Sequence, residues 1–298
     1  MPKRFDAGEV ITAMVTPFNK NREIDYDKAQ ELAKFLVENG SDTILVAGTT
    51  GECPTLTHEE ELELLSTVKR AVGHRAKVMM GAGSNCTKTA VEAAKTAEKE
   101  GADLILSVAP YYNKPCQRGI FEHYSQIAQS VKIPIILYNI PSRTGITISA
   151  QTVSELANKY PNIVGLKQSC PDMDMISELK MLCPEDFVIY SGDDSLTLPM
   201  LALGVEGVIS VASHLWGREI KTMIHNFKTG NYVFAKNMHL KLFPVMRKIF
   251  MAPNPAPIKA VLARQGLIED WVRLPLVELT EEQKTELFEV IDEFSNNN

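Results

Sequence analysis

The sequence is short of the residues that build metal sites and disulfide frameworks. It has five cysteines and six histidines in 298 residues, both dispersed along the chain. No Cys-x-x-Cys, His-x-His or His-Glu-x-x-His pattern occurs. Neither a disulfide framework nor a zinc site is therefore indicated, and we expect no catalytic metal.

Long apolar runs and positive charge are also lacking. No apolar run approaches the roughly 18 residues that span a bilayer. Lysine and arginine number 31 against 37 acidic residues, and no basic stripe is present, so nucleic acid is not expected as a partner. Residues 1–6 lack the apolar core of a signal peptide. We therefore expect a cytoplasmic protein with no membrane or nucleic-acid partner.

What the sequence does contain is a regular alternation of short apolar strands and amphipathic helices. Asp25 is placed to cap the first helix, and Thr57 with Glu60 forms a capping box at the second. The predicted strands are Val10–Val15, Thr43–Val46, Lys77–Met80, Leu104–Ser107, Ile135–Tyr138, Ile163–Lys167, Phe187–Tyr190 and Gly207–Ser210. Eight such units, with a period of roughly 30 residues, predict an α/β fold of the (β/α)8 TIM-barrel type. A doubly wound open sheet is disfavoured because no Gly-x-Gly-x-x-Gly turn is present.

The last part of the chain has a different pattern. Asn231–Phe250, Ala256–Gln265 and Thr280–Phe294 are predicted helices, and no further strand is predicted between them. We predict a catalytic barrel at residues 1–230 and a small helical domain at residues 231–298. The proline-rich run Ala252–Pro257 is predicted to be a rigid extended linker, and Lys259 a charge on a helix surface.

Lys167 ends the apolar run Ile163–Leu166. In a parallel barrel the carboxyl ends of the strands form the active face. A lysine held there against apolar walls loses hydration, which favours the free amine that can form a Schiff base with a ketone. Alone, the same pattern also fits a solvated charge that ends a strand. The residues at the ends of the other strands are therefore needed to choose between a catalytic and a solvated lysine.

Hydroxyl groups follow two other predicted strands. Thr49 and Thr50 lie between two glycines, in a turn whose backbone amides could hold a carboxylate, although a plain turn has the same composition. Tyr111 and Tyr112 lie between prolines and are candidates for the site. The same pattern fits tyrosines that lie at an interface or anchor a loop to the fold.

The fifth strand ends beside the sixth in a barrel. Tyr138 should therefore lie next to Lys167, where a phenol can carry protons to and from a Schiff base. Arg143 follows, and its planar guanidinium suits a substrate carboxylate. An amine, several hydroxyls and an arginine on one face suit carbonyl chemistry on a small carboxylate.

Together these motifs resemble the dihydrodipicolinate synthase family, within the pyruvate-dependent class I aldolases that include N-acetylneuraminate lyase. The resemblance runs from about Val10 to the C-terminus. The motifs that carry it are Gly48–Glu52, Tyr111–Pro115, Tyr138–Gly145, Gly165–Lys167, Ser191–Asp194 and Asn254–Lys259.

The resemblance implies a lyase of diaminopimelate and lysine biosynthesis. Pyruvate would form a Schiff base with Lys167, tautomerise to an enamine and attack aspartate semialdehyde, with no other cofactor and no metal. Thr49, Tyr138 and Tyr112 match the family's proton relay, and Tyr112 would be supplied to the site of a neighbouring subunit.

The same resemblance assigns binding roles. Thr50 would hold the pyruvate carboxylate and Arg143 the semialdehyde carboxylate, while Gly192 and Ile209 would line the pocket through their backbones. The resemblance also implies a homo-oligomer, commonly a homotetramer built as a dimer of dimers.

A regulatory site is implied by His58, Asn85 and Tyr111, which match residues that bind lysine in feedback-inhibited members. Glu61 and Thr89 stand where those members often carry a histidine and a glutamate. Without that glutamate, lysine's amine loses an anionic partner, so weak or absent inhibition by lysine is expected.

Several alternatives stay open. Sibling enzymes that act on N-acetylneuraminate or 4-hydroxy-2-oxo acids share the barrel and the lysine, although sugar-acid lyases generally lack an arginine at the position of Arg143. A pyridoxal phosphate barrel, a metal-dependent aldolase and a catalytically silent binding paralogue are the other classes.

Overall fold

Eight parallel strands form the frame of the molecule. The computed structural model describes residues 5–296, and in it the strands close in sequence order into a barrel. The prediction of a (β/α)8 barrel is thus confirmed. The strands are β1 Val10–Ala13, β2 Thr43–Val46, β3 Lys77–Gly81, β4 Leu104–Val108, β5 Ile135–Asn139, β6 Ile163–Gln168, β7 Val188–Ser191 and β8 Gly207–Ser210.

Twelve helices are described in residues 5–296, besides short 3-10 turns at Cys53–Thr55 and Asp194–Leu196. The predicted caps are confirmed: Asp25 accepts a hydrogen bond from the backbone of Lys28, and Thr57 with Glu60 forms the capping box. The helices are α1 Tyr26–Glu38, α2 His58–Val72, α3 Thr87–Lys99, α4 Gln117–Ser130, α5 Pro141–Thr144, α6 Ala150–Lys159, α7 Met173–Leu182, α8 Thr197–Leu201, α9 Ser213–Lys228, α10 Tyr232–Lys248, α11 Ala256–Arg264 and α12 Glu281–Asn296.

The described chain divides into two compact units. The first comprises Val78–Ile209 together with the residues up to Glu9. Within it, parallel pairing runs continuously from β3 to β8. Backbone approaches closely at Gly207, where an added Cβ would lie 2.0 Å from the carbonyl oxygen of Glu9. Only glycine fits at such a contact.

The second unit comprises Val10–Lys77 and the chain from Ser210 onward. In this unit the ring of His214 is wholly buried. Its Nε2 accepts a hydrogen bond from the backbone N–H of Val15 at 3.1 Å, and its Nδ1 lies 2.8 Å from the carbonyl oxygen of Val211. One nitrogen accepts while the other donates, so the ring is a neutral imidazole. Burial lowers the pKa of His214 to about 4.

The C-terminal part departs from two predictions. The proline-rich run is not an extended linker throughout, because α11 begins at Ala256 and includes Pro257. Lys259 is not a surface charge but is wholly buried, for a reason given below. The predicted domain boundary falls in the short connection between α9 and α10 and stays a prediction. No helix in residues 5–296 combines the length and apolar character that crossing a membrane requires.

Candidate active site

Lys167 is the buried lysine of β6, with 6% of its surface exposed. Parallel pairing places it in register with Tyr138 on β5 and Tyr190 on β7. The Nζ atom of Lys167 lies 4.3 Å from the centre of the Tyr138 ring, so the predicted neighbourhood of the two residues is confirmed. An amine that is this well enclosed and faces a phenol has both a shielded setting for carbonyl addition and an adjacent acid–base group.

Gly192, directly after β7, leaves space next to this lysine. A Cβ added to Gly192 would lie 1.8 Å from Ser169 Oγ and 3.0 Å from Lys167 Cε. The Ser169 hydroxyl is itself buried, with no hydrogen-bond partner among the described residues. Any side chain at position 192 would therefore push against the lysine stem.

A polar layer lies one residue beyond the Tyr138–Lys167 pair. Asn139 and Gln168 are in register on β5 and β6, and the Asn139 amide donates to Gln168 Oε1 at 2.9 Å. Asn139 Oδ1 accepts from the backbone N–H of Ile148 at 3.1 Å. Both side chains are wholly buried, so this layer ties the ends of the two strands together. Sequence reasoning missed it, although a polar residue follows each of the two functional residues directly.

Arg143 lies on the four-residue helix α5, which starts at Pro141 and ends at Gly145 in a left-handed conformation. The hydroxyl of Thr144 reaches back to the carbonyl oxygen of Ile140 at 3.0 Å and secures this turn. The Arg143 side chain is exposed. A helix this short has no hydrophobic periodicity, which is why the sequence pattern did not reveal it.

The Tyr111–Lys114 loop holds Tyr112 out of the fold. Tyr112 is 89% exposed and has a φ of +70°, a conformation that is uncommon for a bulky side chain. Two hydrogen bonds of Asn113 nevertheless hold the loop in place. Its side-chain amide donates to the carbonyl oxygen of Asn85 at 2.8 Å, and its backbone N–H donates to the carbonyl oxygen of Tyr111. An ordered loop that exposes an aromatic ring is typical of a surface covered by a partner.

In the second unit, the turn after β2 carries both threonines. Ala47 and Glu52, which flank it, are left-handed at φ +51° and +59°. Thr49 is half-buried, whereas Thr50 is buried and its hydroxyl accepts a hydrogen bond from the Asn254 amide at 3.0 Å. Two residues in this unfavourable conformation show that the shape of the turn is imposed by its surroundings.

An ion pair buried beneath the turn provides that constraint. Lys259 Nζ lies 2.6 Å from Glu52 Oε1 and donates to the carbonyl oxygen of Trp271 at 2.7 Å. Glu52 Oε2 accepts from the backbone N–H of Arg273 at 2.9 Å. Burial lowers the pKa of Lys259 to about 8, against the opposing effect of Glu52. The sequence-based placement of Lys259 on the surface is wrong because this partner could not be recognised from local pattern.

The remaining predicted site residues are placed as follows. Ile209 is buried in β8 of the first unit, and Asn85 precedes α3. His58 is exposed at the start of α2, with its Nδ1 3.7 Å from Glu61 Oε2. Burial raises the pKa of Glu61 to about 7. Within residues 5–296, no group of three or more histidine, cysteine or acidic side chains is arranged to hold a metal ion.

A buried lysine beside a phenol, on adjacent strands of a (β/α)8 barrel, suits an enzyme that holds a carbonyl substrate as a Schiff base. The family model described as the dihydrodipicolinate synthetase family matches residues 6–294. The chain belongs to this family.

Relatives and solved structures agree with that assignment. A 4-hydroxy-tetrahydrodipicolinate synthase of Desulforamulus reducens is 50% identical over 275 residues, covering 92% of this chain and 93% of its own. The crystal structure of the enzyme from Cyanidioschyzon merolae, described as having lysine bound, has a TM-score of 0.95 at 45% identity and covers 97% of this chain and 98% of its own. A structure described as the first monomeric dihydrodipicolinate synthase variant has a TM-score of 0.94 at 38% identity, with 97% of each chain covered.

Proposed function

We propose that the protein is a lyase with the activity of a 4-hydroxy-tetrahydrodipicolinate synthase, which condenses pyruvate with L-aspartate 4-semialdehyde. The observation that carries the proposal is the enclosed Lys167, with its amine over the Tyr138 ring and with space kept open by Gly192. The names of relatives that match over nearly the whole chain support the same activity. We place this reaction in the cytoplasm.

The chemistry follows from the amine. Lys167 Nζ adds to the C2 carbonyl of pyruvate, and loss of water leaves an iminium ion. The iminium draws electrons from C3, so the methyl group loses a proton and an enamine forms. The enamine carbon attacks the aldehyde carbon of the second substrate. The amine of that substrate then attacks C2 and displaces Lys167, which closes the ring. Because the iminium is the electron sink, these steps require no other cofactor and no metal.

The other site residues have roles matched to these steps. Tyr138, Thr49 and Tyr112 carry protons between the reacting oxygens and solvent. Thr50 holds the pyruvate carboxylate, and Arg143 on α5 holds the carboxylate of the semialdehyde. Gly192 and Ile209 line the pocket with backbone groups.

Tyr112 acts in the site of a second copy of the chain. Its ring is 89% exposed on an ordered loop, which supports burial against a partner rather than against its own fold. A dimer is therefore the smallest unit with a complete relay, and we propose a homotetramer built as a dimer of dimers.

Lysine is a weak regulator of this protein. His58, Asn85 and Tyr111 form the proposed lysine-binding set, but position 89 carries an exposed threonine instead of a carboxylate. A charge-assisted hydrogen bond contributes roughly 1.5–3 kcal/mol, so its absence weakens binding by about tenfold or more. We expect Thr89→Glu to lower the half-inhibitory lysine concentration by at least about that factor. A micromolar inhibition constant for L-lysine in the unaltered protein would contradict the proposal.

Borohydride trapping tests the mechanism directly. Reduction in the presence of pyruvate should leave a pyruvate-derived adduct on the peptide that contains Lys167, and Lys167→Met should leave none. Absence of the adduct in the unaltered, folded protein would remove the Schiff-base mechanism. A coupled assay then identifies the second substrate, since cleavage of a sugar acid without consumption of aspartate semialdehyde would assign a sibling lyase.

Arg143→Ala separates the two substrates. It should raise KM for the semialdehyde by more than about tenfold, the loss expected for a charge-assisted pair, while pyruvate trapping stays unchanged. Arg70→Ala is the matched control, because it removes an exposed arginine of α2 whose guanidinium donates to the hydroxyl groups of Ser66 and Thr67.

A further inference from the structure

Asn254 reaches the proposed carboxylate-binding turn from far along the chain. Its Nδ2 lies 3.0 Å from Thr50 Oγ1, a buried contact between residues separated by 204 positions. Asn254 is 9% exposed and Thr50 is 3% exposed, so water does not compete freely for this hydrogen bond. The bond therefore controls how the Thr50 hydroxyl is oriented.

The direction of this bond decides what the hydroxyl can do. An amide nitrogen can only donate, so Thr50 Oγ1 is the acceptor. A hydroxyl has a single hydrogen, and here that hydrogen is not used on Asn254. It is left to donate to another acceptor, and a carboxylate accepts hydrogen bonds but cannot donate them.

The backbone of the turn is held by other contacts. Thr16 Oγ1 donates to the carbonyl oxygen of Gly51 at 2.6 Å, and Lys259 pairs with Glu52 at 2.6 Å. These contacts fix the residues that follow Thr50 without involving Asn254. Asn254 therefore acts on the Thr50 hydroxyl and not on the fold of the turn.

Stability alone does not account for an asparagine at this position. Its Oδ1 is buried and has no hydrogen-bond partner among the described residues. Such an atom loses its hydrogen bond to water and gains none in the fold, a penalty that an apolar side chain would avoid. We propose that Asn254 is a positioning residue that aims the Thr50 hydroxyl hydrogen at the carboxylate of pyruvate. This inference rests on the proposed function of Thr50.

A double-mutant cycle tests the coupling. Asn254→Leu keeps the branching of the side chain and removes the donor, and Thr50→Val removes the hydroxyl. We expect each single variant to raise KM for pyruvate by about tenfold, which corresponds to roughly 1.4 kcal/mol, with kcat within about twofold. In the Thr50→Val background, Asn254→Leu should have no further effect on KM, because its only route to substrate has already been removed.

Asn162→Leu is the matched control. Asn162 donates to the carbonyl oxygens of Ala128 and Val131 next to the amino end of β6, so its loss should lower Tm and leave KM unchanged. Additive effects in the cycle, or an unchanged KM in Asn254→Leu, would overturn the role of Asn254. Should Asn254→Leu not fold, Asn254→Ala carries the same cycle. A failure of the unaltered protein to trap pyruvate would instead refute the proposed function.

Discussion

Lys259 Nζ and Glu52 Oε1 lie 2.6 Å apart, on side chains that are 0% and 1% exposed. Both groups have further partners, in the carbonyl oxygen of Trp271 and the backbone N–H of Arg273. The Lys259 ammonium also lies 4.1 Å from the centre of the Phe18 ring. A buried pair is tolerated only when its hydrogen-bonding capacity is used in this way.

Breaking this pair on one side should be strongly destabilising. Lys259→Met leaves the Glu52 carboxylate buried without its counter-charge, and we expect a loss of about 3–5 kcal/mol in the free energy of unfolding. The double variant Glu52→Gln/Lys259→Met removes both charges and should recover most of that loss. Urea unfolding measures the stability of Lys259→Met, Glu52→Gln and the double variant. Single variants that are as stable as the unaltered protein would contradict the account.

Substitution of Gly192 should impair the reaction more than the fold. In Gly192→Ala, Ser169 Oγ can rotate away, but Ser169 Cβ at 2.9 Å and Lys167 Cε at 3.0 Å still crowd the new methyl group. We expect the rate of pyruvate trapping to fall by at least about tenfold, the size of a barrier change near 1.4 kcal/mol. Gly73→Ala is the control, since it strains a backbone at φ +58° but meets no atom within 4 Å. Equal trapping rates in both variants would refute the prediction.

Mixed oligomers should show which subunit uses Tyr112. We expect Tyr112→Phe and Lys167→Met each to abolish or sharply lower activity alone. A dimer with one chain of each kind has one site with both Lys167 and the partner's hydroxyl, and should regain about half the activity of the unaltered dimer if Tyr112 acts across subunits. Dual-affinity purification and a rate assay measure this. No recovery would mean that Tyr112 serves its own chain.

His214 should remain neutral well below the usual histidine range. Burial lowers its pKa from 6.5 to about 4 in the folded protein, so between these values the unfolded chain binds more protons. Stability therefore falls as pH drops through this window, by up to about 1.4 kcal/mol per pH unit from this residue. Ring-nitrogen NMR should show the Nδ1–H tautomer at pH 5. A titration midpoint above 6 would show the assignment to be wrong.

The strands and the pairing of Tyr138 with Lys167 were largely predictable from the sequence. The predicted bounds of β2 and β8 agree with the structure, and the placement of Tyr138 beside Lys167 follows from the order of strands in a barrel. Short apolar strands at a regular spacing report directly on burial, so local pattern is sufficient there.

Residues that depend on distant partners were not predictable. The local sequence pattern predicts that Lys259 is a charge on the surface of a helix. Its partner Glu52 is 207 positions away. The bond from Asn254 to Thr50 spans a similar separation. Such pairs are set by tertiary packing, which leaves no periodic signal in the sequence.

The long span of the Glu52–Lys259 pair has a consequence for biosynthesis. A chain emerging from the ribosome makes β2 and its turn more than two hundred residues before the lysine that constrains them. Because synthesis runs from the N-terminus, Glu52 at the end of the threonine turn lacks its buried partner until α11 has been translated. Stalled or truncated nascent chains that end before Lys259 would carry Lys167 on a strand and still lack the geometry around Thr49 and Thr50. Competence for catalysis therefore arises late in translation.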